Sequence, residues 1–322
     1  MKPTDETVGS AAGLRSGVTV SLVLYNSRRL LESRREFLAS LPSLCLVDNA
    51  STDGSADWIA THLPQARLLR CEQNLGFGRG HNLAVAGCQT PFALLLNPDC
   101  DISEDSMQGL VECLQRYPEA LLAVPRLEYP DGRPQENHRG FTHTGGRPGP
   151  GYRTPDAATC CEMVSGAAMM VRVEHFRAIG GFDPWFFLYF EDEEICWRAN
   201  QHRMPVILEP AAVARHALKQ SSTPSLRTEF VRNYSYVTSK LYLRRKLREH
   251  VSRTVLRATA LLFANLLGLV SALLSLNRLA ITRRLARIGA VLTLPWQLRR
   301  EQAAAIPWQL RDRRRPARIS AR

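Results

Sequence analysis

Four short apolar runs, each cut off by a cluster of turn-forming residues, occupy the first hundred positions and restrict the fold most. They are Val18–Tyr25, Ser43–Val47, Ala66–Cys71 and Phe92–Leu96. The first (VTVSLVLY) and the last (FALLL) carry no charge. A strand that reads this way is buried on both faces, as in a parallel sheet. Between the runs lie helix-like segments: Ser55 to about Leu63, about His81 to Cys88, and about Ser103 to Arg116. Ser55 is expected to cap the first of these, and Pro64 and Pro118 end the first and third. Strand and helix in alternation predict an α/β fold, a mostly parallel sheet covered by helices. Ligands in such sheets bind beyond the carboxyl ends of the strands. Those ends carry Asn26, Asp48-Asn49 and Asn97-Pro98-Asp99, so one rim should gather all three clusters.

Charge divides the chain. Leu241–Arg322 holds 18 basic and 3 acidic residues, a net of +15, while the other 240 residues carry 24 and 27, a net of −3. A near-neutral body with a cationic tail argues against a nucleic-acid-binding fold and makes the tail the contact with an anionic partner. The body is large enough for a real core without disulfides. Its cysteines form no C-x-x-C pair, so metal and redox spacings are absent and a reducing cytosol suits the chain. Residues 1–17 lack an apolar segment of the secretory type and are expected to be a flexible leader.

Four segments carry chemistry. Asp48-Asn49-Ala50-Ser51-Thr52-Asp53-Gly54-Ser55 is either a plain turn or, because Asp48 ends a buried strand, a nucleotide-binding one. Asn74–Asn82 has G-x-G-x-G spacing after the third strand. A Rossmann assignment is therefore rejected, leaving a glycine turn into a helix that could bring Arg79 near a phosphate. Asn97-Pro98-Asp99 places a carboxylate where a divalent cation bridging two phosphates could sit, although Asp99 could also merely open a turn. Glu191-Asp192-Glu193-Glu194 follows the aromatic run Trp185–Phe190. Acids there favour a helix dipole. Yet Ile195 and Trp197 are core positions, so helical spacing cannot leave all four acids in solvent. Carboxylates crowded beside aromatics suit a general base. Tyr129–Thr159 is irregular and long enough to be a functional loop, and His216 follows the last expected strand, Pro205–Leu208.

Together these motifs resemble inverting glycosyltransferases of family two with a GT-A fold, of the bacterial rhamnosyltransferase type. The resemblance runs over about Val18–Ser222. It rests on V-L-Y-N at Val23–Asn26, D-N-x-S-x-D-G-S at Asp48–Ser55 and N-x-G-F-x-x-G at Asn74–Gly80. L-N-P-D at Leu96–Asp99, G-G-F-D at Gly180–Asp183, F-x-Y-F-E-D at Phe187–Asp192 and the late His216 complete it. It implies that Tyr25, Asn26, Asp48, Asn49 and Asp53 bind the donor nucleoside, with Asn74, Arg79 and Asn97 in the same site. Asn97-Pro98-Asp99 takes the family's D-x-D position with Asn for the first Asp. Asp99, with His216, would then hold Mg²⁺ or Mn²⁺; Asp101 offers a shifted register ranked lower. Asp192 is the implied base, Glu191 its neighbour, and Glu194 stands where the family often has Asp.

The implied donor is a nucleotide sugar, dTDP-L-rhamnose first, with UDP-galactose or galactofuranose and GDP-mannose as rivals. The implied acceptor is a lipid-linked saccharide. The competing reading is a nonenzymatic membrane adaptor with a degenerate transferase body. Residues 18–240 would form the GT-A domain and 241–322 a basic helical tail that associates with an anionic membrane at its cytoplasmic face. Ala258–Asn277, twenty residues without charge between Arg257 and Arg278, is long enough to cross a bilayer. Arginines on both sides give no direction, and a helix lying in the interface explains them better. The segment Arg283–Leu298, with Trp296 and Trp308, fits the same interface.

Overall fold

The structure, a computed structural model, describes residues 17–139, 154–217, 225–247 and 250–302. Residues 1–16 of the expected leader, the centre of the Tyr129–Thr159 loop and Trp308 lie outside the described residues. The chain separates into two compact units: one holds the described residues up to 183 and from 192 to 217, the other residues 184–191 and those from 225 onward.

The first unit is built on β1 (Val18–Leu24), β2 (Leu44–Asp48), β3 (Arg67–Arg70) and β4 (Phe92–Leu96), which pair in parallel in the order β3-β2-β1-β4. Their continuous apolar sequences follow from burial on both faces. Leu94 and Leu96 join one core with Leu22, Leu24 and Leu46, whereas Ala93 and Leu95 join another with Val171, Phe176 and Phe182. Helices α1 (Arg28–Ser33), α2 (Arg35–Ser40), α3 (Ser55–His62) and α4 (Phe77–Ala86) connect these strands.

Beyond β4 the sheet changes character. After β5 (Cys100–Ile102) and α5 (Glu104–Arg116) comes β6 (Leu122–Glu128), a strand not anticipated from the sequence. Pro125 inside LAVPRLE speaks against a central strand, but its position faces Glu209, where the partner strand bulges. The short strands β7 (Pro134–Gln135), β8 (His138–Arg139), β9 (Thr159–Cys160) and β10 (Met163–Val164) precede β11 (Ala168–Arg172). β11 lies antiparallel between β4 and β6. Helices α6 (Val173–Ala178) and α7 (Glu191–Gln201) lead to β12 (Val206–His216), parallel to β6 and antiparallel to β5. The sheet is thus mixed, with its parallel half carrying the expected rim.

Three local expectations need correction. The helix expected from His81 begins at Phe77, so Gly78 and Gly80 lie inside it. Gly76, at φ +83°, makes the turn instead. Gly80 is required there because a Cβ would sit 2.8 Å from both Val23 methyls. Ser55 does not cap α3: Gly54 (φ +80°) holds that position, and Ser55 is the first helical residue. The last strand runs eight residues past Leu208, so His216 is its final residue rather than a loop residue.

The second unit consists of residues 184–191 with α8 (Leu226–Lys246), α9 (Val251–Leu274) and α10 (Arg278–Gln302). Trp185 stacks on Tyr242 at 3.8 Å, and fully buried Phe186 meets the same ring edge-on. Ser239 Oγ donates to Leu188 O at 2.8 Å. α8 runs unbroken through residue 240.

Candidate active site

The rim of the parallel strands is tied together by its own polar residues. Asn26, at φ +51°, follows β1; its N–H donates to Ser51 Oγ at 2.9 Å and its Oδ1 accepts from Thr52 N at 2.8 Å. Asp48 ends β2 almost fully buried. Its Oδ2 accepts from Ser51 N at 3.2 Å, while Oδ1 meets no hydrogen-bond partner. Burial pushes the Asp48 carboxyl up, against the lowering effect of the Ser51 hydrogen bonds. A buried acceptor left unmatched costs roughly 1–3 kcal/mol, and is the kind of group a ligand N–H satisfies. Tyr25 adjoins this rim directly after β1, half-exposed.

Other residues expected on the rim serve it from behind. Asn49 spends its side chain on Leu75 N (3.2 Å) and Gly76 O (2.9 Å), fastening the Gly76 turn. Asn74 Oδ1 accepts from Gly76 N at 2.9 Å. Asp53 accepts from Arg28 N at 2.9 Å and from Ser55 N at 3.1 Å, satisfying orphan donors at the starts of α1 and α3. Burial would raise its pKa, but these bonds and the Ser55 hydroxyl outweigh it and hold the carboxyl low. Arg79 is exposed on α4.

A second cluster forms where β4, β7 and β12 end. Asp99 and His216 are both buried, with Oδ1 and Nε2 3.4 Å apart. Gln135 Oε1 lies 3.0 Å from His216 Nδ1. An acceptor at that distance takes a hydrogen bond from Nδ1–H and sets the ring so that Nε2 faces Asp99. Asn97 Nδ2 stands 3.4 Å from the same nitrogen. Asp99 also lines a cavity of about 720 Å³ together with Leu30, Arg34, Phe37 and Ala217. Asp101 faces away from its buried neighbours Cys100 and Ile102 and pairs with Arg34.

The base candidate reaches this cluster through one short loop. Asn97 N donates to Ala167 O at 2.9 Å, and Gly166 N donates to Asp192 Oδ2 at 3.0 Å. A Cβ on Gly166 would lie 3.3 Å from Asp192 Cβ, so the small residue permits this approach. Asp192 Oδ1 accepts from Glu193 N at 2.9 Å. None of the four acids is exposed. Glu194 is fully buried and bound by Arg198 through two bonds of 2.7 Å, while Arg198 also holds Ile179 O and Gly181 O at 2.6 Å. Glu191 is buried and falls in the second unit with the aromatic run, whose last residues Tyr189 and Phe190 both adopt positive φ.

Gln135, Gly166 and Ala167 were not anticipated. Gln135 comes from an irregular stretch 81 positions from its partner. The small-residue run Ser165–Ala168 was the available signal for the loop.

The family model described as Glycosyl transferase family 2 matches residues 20–180, half of the chain. The N-acetylglucosaminyl-diphospho-decaprenol L-rhamnosyltransferase of two Mycobacterium tuberculosis strains is 27% identical over 215 residues, covering 56% of this chain and 70% of the relative. The low-salt glycan biosynthesis hexosyltransferase Agl10 of Haloferax volcanii is 20% identical over 214 residues, covering 63% and 67%. Among solved structures, GalNAc-T7 with UDP, GalNAc and Mn²⁺ superposes with a TM-score of 0.50 at 15% identity, over 69% of this chain and half of that one. The architecture is accordingly the GT-A fold. A parallel rim carrying Asp48, a strand end carrying Asp99 and the match over half its length place this chain in glycosyl transferase family 2.

Proposed function

We propose that the protein is an inverting, metal-dependent glycosyltransferase that moves L-rhamnose from dTDP-L-rhamnose to a lipid-linked glycan, in cell-wall or surface polysaccharide synthesis. The observation that carries this reading is the Ser165–Ala167 loop, which accepts from Asn97 N through Ala167 O and donates through Gly166 N to the Asp192 carboxylate, joining the Asn97-Pro98-Asp99 turn to Asp192. The rhamnosyl assignment is supported by the relative named for that sugar and for a decaprenyl diphosphate acceptor. Because that acceptor is a lipid, the reading places the protein on the cytoplasmic face of the cell membrane, peripheral or monotopic, with anionic lipid as a partner.

The residues divide the work. The orphan Asp48 Oδ1 accepts the ring N–H of the donor base. Thymine, uracil and guanine all carry such an N–H, so Asp48 fixes base binding rather than sugar choice. Asp192 takes the proton of the acceptor hydroxyl, whose oxygen attacks the anomeric carbon opposite the departing diphosphate and inverts the configuration. Each Asp192 oxygen accepts one backbone N–H, which fixes the direction of the carboxylate.

Asp99 and His216 suit a divalent cation: a carboxylate and an imidazole lone pair face one point, and Gln135 sets the ring's tautomer. Among the described residues no group of three or more His, Cys, Asp or Glu could hold a metal, so the donor phosphates and water would complete the shell. Mg²⁺ or Mn²⁺ there would neutralise charge growing on the departing diphosphate.

The test is a panel of dTDP-rhamnose, UDP-galactose, UDP-galactofuranose and GDP-mannose incubated with full-length protein and lipid extract, with and without Mn²⁺. Metal-dependent transfer from dTDP-rhamnose into lipid is expected. Transfer from another donor alone reassigns the sugar, and no transfer from any donor removes the reading. Asp99→Ala should weaken metal-dependent donor binding; an unchanged metal titration would detach Asp99 from the metal.

A further inference from the structure

Within the second unit, α9 has two unlike faces. One is a stripe of small or short residues, Asn265, Gly268 and Ala272, at spacings of three and four, with Ala258 two turns before it. Ala258 packs on the cluster containing Ala290 and Leu294 of α10, Asn265 Oδ1 accepts from Arg284 at 3.2 Å, and a Cβ on Gly268 would lie 2.5 Å from the Arg284 guanidinium carbon. The opposite stripe, Leu256, Phe263, Leu267, Val270 and Leu274, is 57–83% exposed. It extends for about 27 Å at the helical rise. No charge interrupts it between residues 258 and 277, and exposed Arg253 and Arg278 stand at its ends. A soluble surface rarely leaves so long an apolar stripe uncovered.

α9 is the one described helix with the length and composition to cross a bilayer. Its partner helix forbids that course. Arg284 is bonded at the middle of α9, while its neighbours Arg283 and Arg287 bind Glu229 (2.5 Å) and Asn233 (3.0 Å) of α8. A spanning α9 would carry this polar cluster into the hydrocarbon, where charged groups are strongly disfavoured. A second copy is also a poor cover, because antiparallel pairing of the stripes would set Arg253 of one copy beside Arg278 of the other.

We propose that α9 lies in the plane of one leaflet of an anionic membrane. The Leu256–Leu274 stripe enters the acyl chains, the arginines meet lipid phosphates, and α10 remains on the aqueous side. Small-residue packing keeps the two helices together as α9 beds into the lipid. The inference rests on the membrane-bound acceptor proposed above, but its test needs no sugar transfer.

Full-length protein is mixed with phosphatidylcholine vesicles with and without phosphatidylglycerol. Co-sedimentation should require the anionic lipid and fall at least about tenfold in Phe263→Ser/Leu267→Ser, with circular dichroism unchanged. In intact vesicles a membrane-impermeant maleimide, mapped by mass spectrometry, should modify both Ser252→Cys and Ser275→Cys and spare Leu267→Cys. Protection of only one end would mean that α9 crosses the bilayer, overturning the in-plane inference while leaving the transferase reading intact. Absence of vesicle binding, or a lipid-free dimer that protects Leu267→Cys, would also overturn it.

Discussion

Asp192 is held at two points by backbone N–H groups of Gly166 and Glu193, so its carboxylate is oriented before any substrate arrives. Asp192→Asn keeps the size but removes the proposed base. Turnover should fall about 10²–10⁴-fold while donor affinity, measured by calorimetry, stays within error. Near-normal turnover would remove Asp192 from the role. A different residue contributes to acid sensitivity. His81 is fully buried beneath the rim, its Nδ1 2.9 Å from Ser21 Oγ and its Nε2 without a partner. Burial pushes its pKa down from 6.5 to about 3. Below pH 6.5 the unfolded chain takes up a proton that the folded chain refuses, so this contribution to stability is complete above that pH. It is then lost progressively toward pH 3, by up to about 1.4 kcal/mol per pH unit. Urea unfolding at pH 7 and pH 5 should show that loss in the natural protein and a smaller one in His81→Asn. An equal loss in both would show that other groups cause it. Asp48 and Asp99 were legible as site candidates because each is a carboxylate ending an apolar strand, where burial must be offset by some partner. Gln135 carried no such mark: an amide in an irregular segment becomes significant only beside the His216 ring.

At the scale of elements, the approach of α4 to β1 rests on one missing methyl group. A Cβ at position 80 would stand 2.8 Å from both Val23 methyls, and a β-branched side chain cannot swing aside. Gly80→Ala should therefore lower stability by about 1–3 kcal/mol, outweighing the usual helical preference for alanine. Val23→Ala in the same chain should recover most of that loss. A Gly80→Ala protein as stable as the original would show that α4 can shift freely. The sequence exposed the strands of the parallel half because their double-sided burial writes continuous apolar runs. It concealed β6, whose Pro125 reads as a breaker until the bulge beside Glu209 is seen. It also misplaced the start of α4, since two glycines chosen for close packing look like a turn when the packing partner is unknown.

For the whole molecule, the rim residues are positioned by a hydrophobic core. Asp99 and His216 sit at the ends of strands whose neighbours Leu96, Cys100 and Ala214 are fully buried. Removal of divalent cations by EDTA should abolish transfer yet leave the circular dichroism spectrum and Tm in place, because the hydrophobic sheet holds both proposed ligands. A large fall in Tm would instead make the cation part of the folding energy. Charge distribution was readable from composition alone: a body of net −3 and a tail of +15. The sequence also determined the alternation of strand and helix, the carboxylates at strand ends and the uncharged stretch after Arg257, since each depends on neighbours in the chain. Only the tertiary structure decided that Gln135 faces His216, that the Ser165–Ala167 loop joins Asn97 to Asp192, and that Arg284 lies against the middle of α9. Those facts come from contacts between segments 19 to 81 positions apart. Local propensity constrains such contacts weakly, and they form only where burying the apolar core outweighs the entropy of closing the loops between them.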